Sequence, residues 1–167
     1  MDDTPPAVRA GLSEDEMKAT LIRLAFGGDT GKLDEFCEVL RRAIPDDTAA
    51  VLRGSAITGF RWSDKAPFDA DGPGTSDLDL TLVGNDILSC YNTMGGFYIP
   101  GIHSKPLSEA HPDIAPRLLP LRQHLLEMAG RPVNIQGTRD WIMFFREHVM
   151  NQPYLKLFGR LGDEPAP

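Results

Sequence analysis

The sequence predicts an α/β (α+β) fold, a short mixed β-sheet flanked by helices, and three observations carry that prediction. The stretch "LDLTLV" at 78–83 alternates apolar and polar residues with the period of a half-buried strand. Four segments, near 13–26, 31–44, 120–129 and 138–149, repeat apolar residues at helical spacing. Clusters of Gly, Pro, Asn and Asp separate these segments and mark the connections. With 167 residues, 41% of them hydrophobic and 25% charged, the chain is long enough for one domain with its own core.

Taken in order, a leader over 1–12 is expected to be flexible, a single domain spans 13–160, and 161–167 is expected to be a disordered tail. "LSEDEM" pairs Ser13 with Glu16 as a capping box and Leu12 with Met17 as a hydrophobic staple, so a helix starts at Ser13 and stops at Gly27-Gly28. Thr30 is expected to cap a second helix with Leu33, Phe36, Cys37, Leu40 and Ile44 on one face, ended by Pro45. "TAAVLRGS" reads as a buried strand ending at Gly54-Ser55, and "SDKAPFDADGPGT" as a long loop. "NDILSCYN" is one or two helical turns, "FYI" a short edge strand, and 100–116 irregular. Pro120 opens a helix closed by Gly130, "PVNIQ" is a strand holding Asn134 between buried neighbours, and Thr138 caps a last helix with Ile142, Phe145 and Val149.

Seventeen basic against 24 acidic residues give a net charge of −7, which argues against a protein that grips nucleic acid mainly by neutralising phosphates and leaves room only for a local basic patch. No apolar run approaches the ~20 residues of a membrane-spanning helix, and the N-terminus lacks the order of a signal peptide, so no membrane association and a cytoplasmic location are expected. Cys37 and Cys90 fit a reducing compartment and small core positions. "FGGDTGKL" fails as a P-loop, because Phe26 stands where the first Gly belongs and Leu33 where Ser or Thr belongs.

In "GTSDLDLTLVG", Asp77 and Asp79 point to the same face of a strand, roughly 7 Å apart, and two such carboxylates repel unless water screens them or a cation lies between them. A lone D-x-D on a wet strand is common; the preceding strand that ends in Gly54-Ser55 is what gives it meaning. Together "VLRGSAITG" and "GTSDLDLTLVG" make the chain resemble the nucleotidyltransferase superfamily, which includes DNA polymerase beta, the poly(A) polymerases and minimal bacterial nucleotidyltransferases. The resemblance covers about residues 31–137. The family's third acidic residue aligns with "PVNIQ", where this chain carries Asn134.

That resemblance implies the short mixed sheet of the nucleotidyltransferase fold, with Gly54-Ser55 and Asp77/Asp79 at one edge. It implies a transferase that uses Mg²⁺ or Mn²⁺ and moves a nucleotide from a nucleoside triphosphate such as ATP to an acceptor hydroxyl, releasing pyrophosphate. Asp77 and Asp79 are then the metal-binding and catalytic residues, with Asn134 in the third catalytic position, and Gly54, Ser55 and Ser76 bind the nucleotide. Paired carboxylates suit Mg²⁺, which takes one or two protein carboxylates beside substrate phosphates. The acceptor, whether protein, small molecule or RNA end, is not readable, and a partner protein or homodimer is expected to complete the site. The alternative is a catalytically degenerate nucleotide-binding or interaction module of the same fold. Asp140 is a second candidate for the third acid, against its ordinary role in the first turn of a helix.

Other candidates carry weaker signals. The connection from Ser55 to Asp77 is longer than the family's, and residues 60–75 read as an inserted hairpin or lid bearing Arg61, Trp62 and Lys65, for each of which a solvated loop is the default role. His103, Glu109, His111 and Asp113 match no zinc spacing. Arg117, Arg122 and Arg131 are candidates to face an anionic substrate, and Trp141, Phe144 and Phe145 are core or a partner surface.

Overall fold

The computed structural model describes residues 12–140, 142, 143, 146 and 150–162; the rest of the leader, Trp141, Phe144, Phe145, Val149 and the tail from 163 lie outside the described residues. Helix α1 (Glu14–Ala25) begins as its sequence directs, with the Ser13 hydroxyl accepting from the Glu16 amide at 3.1 Å. Helix α2 (Thr30–Ala43) is capped by Asp29 rather than Thr30, because the Asp29 carboxylate accepts from the Gly31 amide at 2.9 Å and leaves Thr30 inside the first turn. The remaining elements are β1 (Ala49–Arg53), α3 (Ser55–Thr58), β2 (Leu78–Val83), β3 (Phe97–Ile99), β4 (His103–Ser104), α4 (Leu119–Ala129), β5 (Val133–Thr138) and β6 (Tyr154–Phe158), with 3₁₀ turns at Asp86–Cys90 and Pro116–Leu118. Helix α4 carries Pro120 in its first turn and ends on Gly130 in the left-handed conformation, at φ 66°.

The strands form a six-stranded mixed sheet in the order β3-β4-β5-β2-β1-β6, flanked by helices. Strands β2 and β5 run parallel and the other pairings are antiparallel. The sheet is larger than the sequence indicates. Strand β6 lies between the last helix and the tail of the sequence reading, in a stretch to which that reading gave no element, and β4 lies inside the 100–116 stretch read as irregular. As a result β1 and β2 are interior strands, and the Gly-Ser and Asp segments stand at the centre of the sheet instead of its edge.

The two faces of the sheet are chemically different. Ala50, Leu52, Leu78, Leu80, Leu82, Val133 and Ile135 join the main core with buried side chains of α1, α2 and α4. The opposite face follows from the registers, which align Arg53 with Asp79 and Asn134, then Val51 with Thr81 and Gln136, then Ala49 with Val83 and Thr138. Met143 and Leu161 pack with Ala49, Val51 and Val83 at the apolar end. The charged row at the other end is left as the floor of two clefts. No helix among the described residues is long and apolar enough to cross a membrane.

Candidate functional site

Asp77 stands just before β2, Asp79 on β2 and Asn134 beside it on β5. The Asn134 Nδ2 donates to Asp77 Oδ2 at 2.6 Å and reaches Asp79 Oδ1 at 3.4 Å. A single polar atom therefore touches both carboxylates. The alternation that separates Leu78 and Leu80 from the acids sends the leucines into the core and the acids outward together. Burial raises the Asp79 pKa first and the Asp77 charge raises it further, against the partial relief of Arg53, Asn134 and Arg146.

Gly54 has a reason in this geometry that its sequence context does not reveal. Its φ of 85° and ψ of −160° turn the chain sharply from β1 into α3, in a region open to glycine. A Cβ there would stand 2.8 Å from Asp79 Oδ2, so the missing side chain makes room for the carboxylate. Ser55 opens α3, and the Ile57 and Thr58 amides turn back to the Gly54 carbonyl. Gly54, Ser55, Asp77 and Asp79 line one cleft of about 370 Å³. Its outer wall includes Arg61 and Trp62 from the long loop and Gln152 and Pro153 ahead of β6.

The loop is pinned rather than free. Asp69, at φ 59°, accepts from the amides of Ser76 (2.9 Å) and Gly74 (3.2 Å) and pairs with Arg131 at 2.8 Å. Burial alone would raise the Asp69 carboxyl; Arg131 and the two amides outweigh it and hold it at about 2. Ser76 belongs to this staple: its hydroxyl accepts from the Asp69 amide at 2.8 Å, and it is not among the residues that line the cleft. Arg131 also stacks over Phe68 at 4.4 Å, and Arg122 donates to the Val133 carbonyl at 2.8 Å, so both arginines serve the scaffold. Lys65 folds back over the Trp62 ring at 4.4 Å.

Asp140 is far from the acids. It follows Thr138, which lies opposite Val83 at the far end of the parallel pair, whereas Asn134 lies opposite Asp79. About six residues of extended chain separate Asn134 from Asp140, on the order of 20 Å. Asp140 instead lies against Gly162. Thr138 is the last residue of β5 and not a helix cap; its hydroxyl meets His103 Nδ1 at 3.0 Å.

A second cleft of about 270 Å³ opens on the other side of Asp79, lined by Asn134, Gln136, His103, Tyr98 and two arginines, Arg53 and Arg146. Arg53 and Asp79 line both clefts and form the ridge between them. Gln136 Oε1 accepts from Arg146 at 3.1 Å and from Arg53 at a long 3.5 Å, and Gln136 Nε2 donates to the Ser104 carbonyl at 2.7 Å. The nitrogens of two guanidiniums on one oxygen lie within about 7 Å, where like charges repel by about 2 kcal/mol at an effective dielectric of 20. Burial and then Arg53 draw Arg146 down to about 10, and burial lowers Arg53 as well.

His103 is held near 4 by burial, Arg146 and Arg53, and is neutral at neutral pH. Its Nε2 faces two donors, Arg146 Nη2 at 3.1 Å and Gln136 Nε2 at 3.3 Å. The proton therefore belongs on Nδ1, donated to Thr138. Arg53, Gln136 and Arg146 escaped the sequence reading. For Arg53 and Gln136 the available signal was their alternation onto the Asp79 face, which needs the strand register; Arg146 gave none.

The donor set at Asp77 and Asp79 fits a hard divalent cation: two carboxylates reach one point, and an Asn134 amide turned by 180° would present its carbonyl oxygen in place of Nδ2. Among the described residues no group of three or more His, Cys, Asp or Glu is placed to hold a metal ion. Any such cation therefore has two protein charges and takes the rest of its shell from water and ligand. Compared with known protein families, with curated proteins and with solved structures, the chain finds no match.

Proposed function

We propose that the protein is a metal-dependent nucleotidyltransferase acting in a reducing cytoplasm. The observation that carries the reading is the convergence of Asp77, Asp79 and Asn134 on the same cleft system as the Gly54-Ser55 turn. Both cysteines are free thiols, in keeping with that compartment. Asp77 and Asp79 would hold Mg²⁺ or Mn²⁺, which supplies charge neutralisation for a triphosphate and its leaving pyrophosphate.

The chain's own residues bind and orient. Ser55, at the turn, offers its hydroxyl to a triphosphate oxygen, and Trp62 and Arg61 border the same cleft for the rest of the nucleotide. An acceptor hydroxyl enters from the Asn134 side; its oxygen bonds to the α-phosphorus as the bond to the bridging oxygen breaks. Pyrophosphate leaves with that electron pair. Asn134 has no basic oxygen, so the hydroxyl proton passes to water at the open cleft. A protein partner or second copy is the remaining candidate to complete the acceptor side.

One observation favours a non-catalytic nucleotide-binding module of the same fold: Arg53 and Arg146 already offset the charge of Asp79, and Asn134 adds none. Pyrophosphate release from each NTP with Mn²⁺, measured across a panel of small-molecule, protein and RNA acceptors, separates the two. Turnover lost in Asp77→Asn and Asp79→Asn supports the enzyme. Nucleotide-dependent thermal stabilisation without any pyrophosphate supports the module, and the absence of both refutes the nucleotide reading.

A further inference from the structure

Arg53 and Arg146 have no ion-pair partner within salt-bridge distance among the described residues, although both line a cleft. Arg146 is more than nine-tenths buried, and its Nη1 has no hydrogen-bond partner. Proteins rarely bury an unpaired guanidinium beside another of like charge, because desolvation and repulsion act together. Here the only shared acceptor is the neutral Gln136 oxygen, and His103 spends its one lone pair on Arg146 instead of adding charge. The Asp79 carboxylate lowers the cost of both cations, but it is the group that a bound divalent cation would engage. A loaded metal site would leave the two arginines without their counter-charge.

We propose that the second cleft is a phosphate subsite, in which Arg53 and Arg146 bind a phosphomonoester dianion. Two planar forks, charged at neutral pH, match the near −2 charge and the several acceptor oxygens of such a group better than they match one carboxylate. The cleft volume of about 270 Å³ lies just below the range usual for small-molecule pockets, which suits a small phosphorylated compound. Resting on the nucleotidyl-transfer reading, the acceptor is then a small phosphorylated alcohol: its phosphate lies on the arginines while its hydroxyl reaches Asp79, which the two clefts share, beside Asn134.

The subsite is tested on the full-length protein in EDTA without nucleotide, so that its outcome is independent of metal binding and turnover. Inorganic phosphate is titrated against chloride at equal ionic strength, with thermal stability and the His103 ring resonances as readouts. Phosphate is expected to raise the melting temperature and move the His103 signals, since that ring touches Arg146. Arg146→Gln is expected to weaken phosphate at least tenfold, Arg146→Lys to keep part of the affinity, and Arg42→Gln, at an exposed helix position, to change nothing. If Arg146→Gln does not fold, the His103 titration in the parent decides alone. An unmoved His103 signal, or a phosphate effect that survives Arg146→Gln in a folded protein, overturns the subsite. With the subsite established, pyrophosphate release that prefers a phosphorylated alcohol over its dephosphorylated form supports the acceptor class. Equal use of both forms overturns that class, and no release from either withdraws only the transfer reading.

Discussion

Replacing Asn134 with Asp tests the site geometry without assuming any activity. The change removes the 2.6 Å donation to Asp77, a hydrogen bond to a charged group worth about 1.5–3 kcal/mol. It also sets a third carboxylate within contact distance of two others, and at ~4 Å and an effective dielectric of 20 each like-charge pair costs about 4 kcal/mol. The protein can limit that penalty by protonating one acid, which at neutral pH costs about 4 kcal/mol for a carboxyl of ordinary pKa. Side-chain rotation lowers the sum, so a metal-free destabilisation of about 2–4 kcal/mol is expected, a melting temperature lower by roughly 5–15 °C. The sign with pH follows from proton binding: the crowded acids are raised in the folded state, so the variant loses stability as pH rises from about 4 and regains it on acidification. Mn²⁺ at 100 times its Kd is expected to restore about 2.7 kcal/mol. Urea unfolding of parent and variant in EDTA and in Mn²⁺, at neutral and mildly acidic pH, provides the measurement. A variant as stable as the parent in EDTA would show that the three side chains do not share one space. A destabilised variant that neither acid nor Mn²⁺ rescues would refute a cation position between them.

Asp69→Asn is expected to loosen the loop staple by about 1 kcal/mol, after allowance for the part of Asp69 that water screens, and its parent contribution is complete above about pH 4 and lost as pH falls toward 2. Urea midpoints of parent and variant through that interval check it, and a pH-independent difference would contradict the pairing. His103 is expected to remain neutral in an NMR titration down to about pH 4; since the unfolded chain takes up its proton near 6.5, stability is lost as pH falls between these values, by about 1–2 kcal/mol after screening. A His103 midpoint near 6.5 would sink the account of its neighbours. Burial, with Asp34 behind it, raises the Cys37 thiol to about 11, so alkylation of the folded protein at neutral pH is expected to be far slower than that of a free thiol, and equal rates would refute it.

Features decided within a few residues were legible. Ser13 capping α1, Pro120 and Gly130 bracketing α4, and the alternation that buries Leu78, Leu80 and Leu82 while turning Asp77 and Asp79 outward all depend on local geometry. The mistaken cap at Thr30 is the instructive exception, since Asp29 and Thr30 are both good caps and sequence spacing does not choose between them. Strand β4, two residues long, is held by Phe97 and Ile99 on one side and Thr138 on the other, so no periodicity announces it. Strand β6 pairs with β1 about a hundred positions earlier, and only that pairing distinguishes it from a loop.

The sequence by itself determined the fold class, the two acids on one strand face and the glycine turn that precedes them, because each follows from backbone preference and a period of two. Tertiary structure decided the rest of the site. It set Asn134 against both acids through the β2–β5 register, sent Asp140 to the opposite end of the same strand, and gave Gly54 a carboxylate to accommodate. It drew Ser76 and Arg131 into the Asp69 staple and brought Arg53 and Arg146 to one amide oxygen from positions 93 residues apart. These are through-space contacts between charged and polar groups, whose energies depend on separations of a few ångströms and on exclusion of water, and a linear chain fixes neither until the sheet has formed.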